Sequence, residues 1–381
     1  MTLTAITGGR IFDGRDWHDG RSLIVADGRV TAISAGIPAG ARQVDADGAL
    51  VVPGFIDLQV NGGGGVMFND HPTPEGIARI ARAHARFGTT KLLPTLITDN
   101  RAVTAEARKA GREAAARNTA GFLGIHLEGP HLSVSRKGAH DPALIRPMEA
   151  ADLEALLAYR REVGLLLTTI ATENVSIDQA RALAEGGVTV SLGHTDTTCV
   201  EALDYFAAGV RMATHLFNAM SPLGHREPGL VGAAIHGGSA FAGLIADGFH
   251  VDPVSMGVAL RAKQGPGRIF IVTDAMSTIG TDDAGLMLNG RRIFREGGRL
   301  TLADGTLAGA DIDMLSSVLF VHRRLGLPIE EAIRMASLYP AEAMGVGDRH
   351  GRLLPGYAAD ILLLEPSLSI RSVFIDGAEL E

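Results

Sequence analysis

The sequence has very little cysteine. Cys199 is the only one among 381 residues, so no intrachain disulfide can form. The amino terminus has no basic segment followed by an apolar stretch, which predicts that there is no signal peptide. No uninterrupted apolar run approaches the ~18 residues that a membrane helix needs. We therefore expect a soluble protein of a reducing compartment, the cytoplasm.

Charge is also scarce. Charged residues make up 20% of the chain and hydrophobic residues 46%, a balance that supports a full core and excludes a disordered chain. The formal net charge of −8 argues against nucleic acid as a partner. The balance is compatible with an anionic small molecule, because a local arginine or a nest of backbone amides can attract it despite the net charge.

Both ends of the chain show short strand-like runs joined by tight turns. Asp-Gly pairs such as Asp13-Gly14 and Asp19-Gly20 are typical of these turns. Neither end has enough apolar residues for a core of its own. We expect residues 1–52 and 346–381 to form one small β-sandwich, and residues 53–345 to form a separate, larger domain.

The middle of the chain alternates apolar runs with helix-like segments, which predicts parallel strands buried on both faces. Eight apolar runs lie at residues 50–60, 91–98, 121–129, 164–172, 187–194, 211–219, 241–250 and 268–275. Helix-like segments lie at residues 74–87, 102–117, 149–161, 178–185, 198–207, 313–325 and 328–344. This order predicts an α/β fold, a closed (β/α)8 TIM-like barrel. The alternative is an open doubly wound sheet, but no G-x-G-x-x-G follows the first strand.

Polar residues end most of these apolar runs. In a barrel, the carboxyl ends of strands from distant parts of the chain meet at one mouth. A carboxylate and two imidazoles there are a sufficient ligand set for a catalytic zinc-type site, and a second carboxylate can take a proton from water. The residues that fit this pattern are Glu128, His194, His215 and Asp274.

Each of these residues has a simpler explanation on its own. A single histidine at a strand end is more often a hydrogen-bonded polar group than a metal ligand, and Asp274 could cap a turn. Residues 61–65 could cradle an anion or form a sharp loop without a ligand. The occurrence of all four side chains at strand ends of one pattern favours a common site.

Seven stretches carry a family resemblance: PGFIDLQVNGGGG (53–65), GIHLEGPHLSVSRKGAHDP (124–142), SLGHTDTT (191–198), THLFNAMSPLGHREPGLVGAA (214–234), GLIADGFHVDP (243–253), VTDAMSTIG (272–280) and GTLAGADIDM (305–314). The chain resembles the N-acetylglucosamine-6-phosphate deacetylase family of the amidohydrolase superfamily. The resemblance implies a (β/α)8 barrel with a β-sandwich made from both termini. It also implies metal-dependent hydrolysis of the acetamide of N-acetyl-D-glucosamine 6-phosphate to D-glucosamine 6-phosphate and acetate.

The resemblance implies a role for each matching residue. Glu128, His194 and His215 would hold the metal. Asp274 would act as general base and then as general acid, and His140 would polarise the amide carbonyl. The residues that would contact the substrate are His140, Asn218, Ala219, Arg226, His250, Leu307, Ala308 and Gly309. Arg226 would reach the phosphate in the neighbouring active site of a homodimer.

One position departs from part of the family. Some related enzymes have His-x-His at the end of the first strand and bind two metals, whereas this chain has Gln59 and Asn61 there. Amide side chains are poor replacements for imidazole on zinc or iron. We expect one divalent ion per subunit, zinc or else iron(II), with Gln59 and Asn61 as a weak second-metal position or as loop residues.

Two other functions are compatible with a barrel. A different amidohydrolase, such as a dihydroorotase-like enzyme or an N-acyl-amino-acid deacylase, is expected to have the first-strand His-x-His or a lysine at the end of the fourth strand. This chain has Ala171-Thr172-Glu173 there. A non-catalytic scaffold is expected to have lost a ligand or the base, whereas this chain retains them.

Overall fold

The computed structural model describes residues 3–288 and 290–380. Its centre is a parallel sheet of eight strands, in which each strand lies beside the next one along the chain. The strands are β1 Phe55–Val60, β2 Thr89–Ile97, β3 Ile125–Glu128, β4 Leu166–Ile170, β5 Thr189–Leu192, β6 Met212–Ala213, β7 Phe241–Ile245 and β8 Ile269–Val272. Almost every residue in them is buried, as the near-continuous apolar runs predict.

The last strand meets the first and closes the sheet. The Asp274 N–H donates to the Gln59 carbonyl at 2.9 Å, beyond the end of β8. The buried carboxylate of Asp57 on β1 adds a second link, because it accepts a hydrogen bond from the Thr273 hydroxyl at 2.5 Å. The predicted (β/α)8 barrel is confirmed, and the open doubly wound sheet is wrong.

Helices surround the barrel much as the sequence predicts. They are α1 Pro74–Ala85, α2 Arg101–Ala116, α3 Ala150–Val163, α4 Ile177–Glu185, α5 Cys199–Ala207, α6 Gly229–His236, α7 Pro253–Ala262, α8 Met314–Leu325, α9 Ile329–Ala336 and α10 Leu338–Ala343. The predicted helix 328–344 is two helices, because Ser337 leaves the helical conformation at φ −131°. Helices α6 and α7 were not predicted from the sequence; α6 is buried on nearly all sides and so lacks an amphipathic period. Within the described residues, none of these helices has the length and hydropathy to cross a bilayer.

The two termini pack together as two sheets. The first sheet has four strands, which are in spatial order Arg29–Ser34, Ser22–Ala26, Leu3–Thr7 and Arg42–Asp45. The second has six strands, which are in spatial order Ala378–Glu379, Ile370–Ile375, Ile361–Leu364, Leu50–Pro53, Arg10–Phe12 and Trp17–His18. Their apolar residues form one buried cluster that includes Leu23, Leu363 and Phe374. The predicted β-sandwich from both ends of the chain is confirmed.

An antiparallel sheet between β8 and α8 was not predicted, because the segment is rich in glycine and charged residues. Its strands are Gly285–Leu288, Arg291–Glu296, Arg299–Thr301 and Leu307–Ala310, and we call this sheet the flap. Leu288 and Ile293 of the flap pack in one buried cluster with Ile97, the last residue of β2. The flap therefore covers the carboxyl-terminal mouth of the barrel. A two-stranded ribbon (Gly62–Gly63 with Val66–Met67) and a 3-10 turn (Val134–Arg136) lie in loops that follow β1 and β3.

Candidate active site

The mouth of the barrel holds a cavity of about 170 Å³ against the flap. Strand ends supply its ionisable side chains. Glu128 is the last residue of β3, and His194, His215 and Asp274 lie just beyond the ends of β5, β6 and β8. All four line the cavity, so the barrel brings together the residues that the sequence pattern singles out.

Three of these side chains turn their donor atoms toward one another. Glu128 Oε1 lies 3.3 Å from His194 Nε2 and 3.2 Å from His215 Nε2, and the two nitrogens are 3.1 Å apart. Ideal tetrahedral donors at zinc–ligand distances are about 3.4 Å apart. The nearly equilateral triangle therefore fits one cation, which Glu128, His194 and His215 would hold while leaving it accessible to water or substrate.

Hydrogen bonds to the two histidines test whether they suit a metal. His194 Nδ1 lies 2.8 Å from the carbonyl oxygen of Arg136, which only accepts. Nδ1 of His194 must therefore carry the proton, and Nε2 has the lone pair that a metal needs. Nδ1 of His215 is buried without a hydrogen-bond partner among the described residues, so its Nε2 is the atom engaged at the triangle. One carboxylate and two imidazoles in this arrangement suit a divalent cation.

The site has an excess of buried negative charge. Burial raises the pKa of Glu128, but its contacts with His194 and His215 outweigh burial and hold that pKa well below its usual value. Burial and the neighbouring charge of Glu128 raise the pKa of Asp274. Two carboxylates in one buried cavity repel each other unless a cation lies beside them. The electrostatics therefore also favour a bound cation.

Two carboxamides hold Asp274 in place. Asn61 Nδ2 donates to Asp274 Oδ1 at 2.7 Å, and Gln59 Nε2 donates to the same oxygen at 3.1 Å. Gln59 Nε2 also donates to Glu128 Oε1 at 3.0 Å. Because both amides hold Oδ1, a reacting group has to be met by the other oxygen of Asp274, Oδ2.

The glycine loop after β1 uses its own amides. The N–H groups of Gly64 and Gly65 donate to the carbonyls of Ile279 and Ser277 at 2.7 and 2.9 Å. Amides that pair with carbonyls do not form a nest for an anion. The geometry favours the sharp loop over the anion cradle for residues 61–65.

His140 presents a proton to the cavity. The Thr98 N–H donates to His140 Nδ1 at 3.3 Å, so Nδ1 is an acceptor and Nε2 carries the hydrogen. Burial, helped by the charge of His194, lowers the pKa of His140 to about 3. The ring is therefore neutral near pH 7. It can donate a hydrogen bond through Nε2, which lies 3.9 Å from Glu128 Oε2.

The other predicted residues fall into two groups. Those that line the cavity are Asn218, Ala219, His250, Leu307, Ala308 and Gly309. Arg226 is exposed on the loop before α6, outside the cavity lining that the described residues form. A single chain thus assembles the predicted site except for Arg226.

Most of the apolar lining of the cavity was not predicted from the sequence. The residues concerned are Ile97, Gly138, Ala139, Ile245, Met276 and Leu288. Ile97 and Ile245 end barrel strands, so their position in the apolar runs could have indicated them. Leu288 belongs to the flap, for which the sequence pattern has no clear period.

Left-handed backbone at the site was also missed. The φ angles are 49° at His194, 28° at His215, 47° at Ala219 and 53° at Asp274. Side-chain-bearing residues adopt such angles at a cost of about 1–3 kcal/mol each, and they cluster at functional sites. The sharp turns that follow β5, β6 and β8 therefore store strain where three of the four ionisable side chains enter the cavity.

Known proteins share this architecture. Residues 50–380 match the amidohydrolase family. The chain belongs to the amidohydrolase family. These enzymes are generally metal-dependent, in agreement with the convergent donor atoms of Glu128, His194 and His215. An N-acetylgalactosamine-6-phosphate deacetylase of Shewanella sp. (strain ANA-3) is 41% identical over 86% of this amidohydrolase and 82% of its own length.

Two solved structures resemble this amidohydrolase along almost its whole length. The N-acetylglucosamine-6-phosphate deacetylase from Pasteurella multocida is 32% identical, with a TM-score of 0.95 and coverage of 99% of each chain. A mutant of the N-acetyl-D-glucosamine-6-phosphate deacetylase from Mycobacterium smegmatis, in complex with N-acetyl-D-glucosamine 6-phosphate, is 30% identical. Its TM-score is 0.89, and the match covers 100% of this chain and 99% of that one.

Proposed function

We propose that this amidohydrolase hydrolyses the acetamide of N-acetyl-D-glucosamine 6-phosphate to D-glucosamine 6-phosphate and acetate. The observation that carries the proposal is the convergence of Glu128, His194 and His215, with donor atoms within 4.8 Å of one another, in the cavity that Asp274 also lines. The two solved deacetylases described above support the choice of substrate. A non-catalytic scaffold does not account for this ligand set beside a buried carboxylate.

We assign one divalent ion to Glu128, His194 and His215. When bound, such an ion acidifies water and polarises a carbonyl oxygen. Imidazole and carboxylate ligands suit both zinc and iron(II), and the nearly tetrahedral spacing of the donors leads us to prefer zinc. Gln59 and Asn61 already donate to carboxylates, which argues against a second ion at that position.

The chain's own residues would move the protons. Asp274 takes the proton of the attacking water on Oδ2 and passes it to the amine as the C–N bond breaks. Asn61 and Gln59 keep the carboxylate in one orientation during both transfers. His140 donates through Nε2 to the carbonyl oxygen as negative charge develops there, a contribution of about 3 kcal/mol for one such donor.

The rest of the cavity would hold the sugar phosphate. We assign Asn218, Ala219 and Arg226 to the phosphate, His250 to the sugar, and Leu307, Ala308 and Gly309 to closure over the ring. Arginine binds phosphate oxygens in a bidentate manner. Because Arg226 is exposed and lies outside the cavity of its own chain, we infer that it serves the neighbouring subunit of a homodimer.

A second candidate substrate is N-acetyl-D-galactosamine 6-phosphate, because the Shewanella relative is named for that sugar. The two sugars differ only in the configuration at C4, so the acetamide and the phosphate can occupy the same places. Acetate release from each phosphorylated sugar, measured side by side, ranks the two candidates.

The decisive experiment is an acetate-release assay on N-acetylglucosamine 6-phosphate and on the unphosphorylated sugar, with and without a chelator. We expect rapid release from the phosphorylated sugar, loss of activity after chelation, and recovery when zinc is added back. The amount of bound metal, measured by elemental analysis, should approach one ion per chain. Full activity in a chain shown to be metal-free would overturn the proposal.

The substrate also sets the expected location. A phosphorylated sugar is charged and does not cross a bilayer, so we place the reaction in the cytoplasm. We assign catalysis to residues 53–345 and a supporting role to the sandwich formed by residues 1–52 and 346–381.

A further inference from the structure

The turn after β7 contains a buried carboxylate that the proposed reaction does not use. The side chain of Asp247 is 4% exposed. Its Oδ2 lies 2.6 Å from His250 Nδ1, and its Oδ1 accepts hydrogen bonds from the N–H groups of Phe249 at 2.8 Å and His250 at 2.9 Å. His250 lines the cavity, so Asp247 lies directly behind a residue that faces the substrate.

The hydrogen bonds of Asp247 fix where the His250 proton lies. Burial raises the pKa of Asp247, but the side chain of His250 and the N–H groups of His250 and Phe249 together outweigh burial and lower that pKa, so the carboxylate is ionised near pH 7. An ionised carboxylate only accepts hydrogen bonds. In the neutral imidazole ring, Nδ1 of His250 must therefore carry the single hydrogen, and Nε2 keeps the lone pair and is left for the cavity.

The flap holds this turn from the outside. The guanidinium of Arg299 lies 4.2 Å from the centre of the Phe249 ring, a cation–π contact. The turn from Asp247 to His250 is therefore fixed by its own hydrogen bonds and by a strand of the flap. A side chain held in this way can present one nitrogen in one direction.

We propose that Asp247 is a positioning residue that keeps the proton of His250 on Nδ1 and so presents Nε2 as an acceptor for a hydroxyl of the bound sugar. A carboxylate that orients an imidazole is a recurring device in enzymes. The identity of the ligand rests on the proposed function, whereas the position of the proton on His250 does not.

Asp247→Asn reverses the polarity of this pair with little change of shape. The amide oxygen has to stay with the two backbone N–H groups, because the NH2 group cannot accept from them. The NH2 group then faces His250 Nδ1, which has to accept, so the ring proton moves to Nε2. A hydrogen-bond acceptor for the sugar becomes a donor, and the sugar hydroxyl has to rearrange or lose its partner.

The test combines spectroscopy with kinetics on the metal-loaded enzyme. In 15N NMR of histidine-labelled protein, with His250 assigned from the spectrum of His250→Gln, we expect a protonated Nδ1 in the wild type and a protonated Nε2 in Asp247→Asn. We expect KM for N-acetylglucosamine 6-phosphate to rise about tenfold or more in Asp247→Asn, with kcat nearly unchanged.

The sandwich provides a matched control. Asp13 accepts from His18 Nε2 at 2.7 Å and from the N–H groups of Arg15 and Asp16 at 2.7 and 2.8 Å. Asp13→Asn removes the same kind of contact far from the cavity and should leave KM unchanged.

Three results would overturn the proposal: a wild-type His250 with its proton on Nε2, a proton that stays on Nδ1 in Asp247→Asn, or an equal rise in KM in Asp13→Asn. The wild-type spectrum decides the matter even if Asp247→Asn does not fold. If the wild type releases no acetate from either phosphorylated sugar, the proposed function fails, and the spectra still test Asp247.

Discussion

The barrel has a cluster of charged groups at each end, each with buried members, and the two clusters are balanced in different ways. At the amino-terminal end of the strands, Lys91 Nζ lies 2.8 Å from Asp376 and 3.3 Å from Asp360. At the mouth, Glu128 and Asp274 share a cavity, and none of the described residues that line it is a lysine or an arginine. The first cluster contains its own cation, whereas the second favours a cation that the protein has to bind.

The direction of the pKa shifts reflects this difference. Burial raises the pKa of Asp360, but the charge of Lys91, the side chain of His350 and a hydrogen bond from the Asp376 N–H together outweigh burial, and the net shift of the pKa is downward. Burial also raises the pKa of Asp274, and the neighbouring charge of Glu128 raises it further. The pKa values of the two carboxylates thus shift in opposite directions because Asp360 has an opposite charge beside it and Asp274 a like charge. The first arrangement is suited to holding a fold together, and the second to binding a metal and moving a proton.

The largest expected effect comes from breaking the cluster at the mouth. Asp274→Asn removes the proposed proton acceptor and leaves Glu128, His194 and His215 unchanged. We expect kcat for acetate release to fall about a thousandfold or more, because the variant cannot take the proton of water. Bound metal, measured by elemental analysis, should be the same as in the wild type. Substantial activity in Asp274→Asn would remove this residue from its role.

Breaking the cluster at the opposite end should cost stability instead of activity. Lys91→Met leaves the buried carboxylate of Asp360 without its cation, so the free energy of unfolding should fall by about 3 kcal/mol. Denaturant titration measures this loss, and kcat per folded molecule should stay unchanged. The matched control is Lys109→Met, because Lys109 pairs with Glu106 on an exposed helix face and its removal should have little effect. Equal losses in both variants would contradict the structural role of Lys91.

A pH series sharpens the comparison through Asp57, which lies in the barrel wall between the two clusters. Burial raises the pKa of Asp57 from 3.8 to about 7. The folded state therefore binds the proton of Asp57 more tightly than the unfolded chain does. The contribution of protonated Asp57 to the stability of the fold is complete below pH 3.8 and is lost as the pH rises to about 7. Relative to Asp57→Asn, the free energy of unfolding of the wild type should fall by about 3 kcal/mol between about pH 4.5 and about pH 6.5.

Asp360→Asn serves as the control of opposite sign. Because Lys91 helps to lower the pKa of Asp360, the stability that Asp360 contributes is present above the unfolded value of 3.8 and is lost as the pH falls below it. The advantage of the wild type over Asp360→Asn should thus be greatest near neutral pH and shrink in acid. Denaturant titrations across the pH range measure both trends, and the same trend for both variants would contradict the assignment.

The barrel and the centre of its mouth could be predicted because they depend on repeated patterns. Eight apolar runs indicate a closed parallel sheet, and closure brings Glu128, His194, His215 and Asp274 to one end without any knowledge of their contacts. The pairing of the two termini could also be predicted, because neither end of the chain has enough apolar residues to bury a core alone. These inferences need only the spacing of residue types along the chain.

The remaining features depend on contacts between segments that have no common pattern. The flap consists of short strands in a glycine-rich segment, so its contribution of Leu288 to the cavity had no signal. The left-handed φ of 28° at His215 cannot be predicted from residue type, because such angles are uncommon for every residue except glycine. The opposite tautomers of His140 and His194 are set by the Thr98 N–H and by the carbonyl of Arg136, and identical side chains in a sequence do not reveal such partners.

The smallest of these effects concerns Arg226, the predicted residue that a single chain leaves outside the cavity. Arg226→Ala should lower kcat/KM for N-acetylglucosamine 6-phosphate about tenfold to a hundredfold, because a charge-assisted contact to the phosphate is lost. The low activity on the unphosphorylated sugar should stay unchanged, because that sugar has no phosphate to contact. Arg349→Ala is the matched control, since Arg349 is also an exposed arginine and lies in the loop that precedes the sandwich strand Ile361–Leu364. Equal loss on both sugars would count against a phosphate contact.

Mixing two variants tests whether Arg226 acts across a subunit interface. An inactive Asp274→Asn chain that retains Arg226 should restore part of the activity of Arg226→Ala. The reason is that each hybrid dimer then contains one complete site, with Asp274 from one chain and Arg226 from the other.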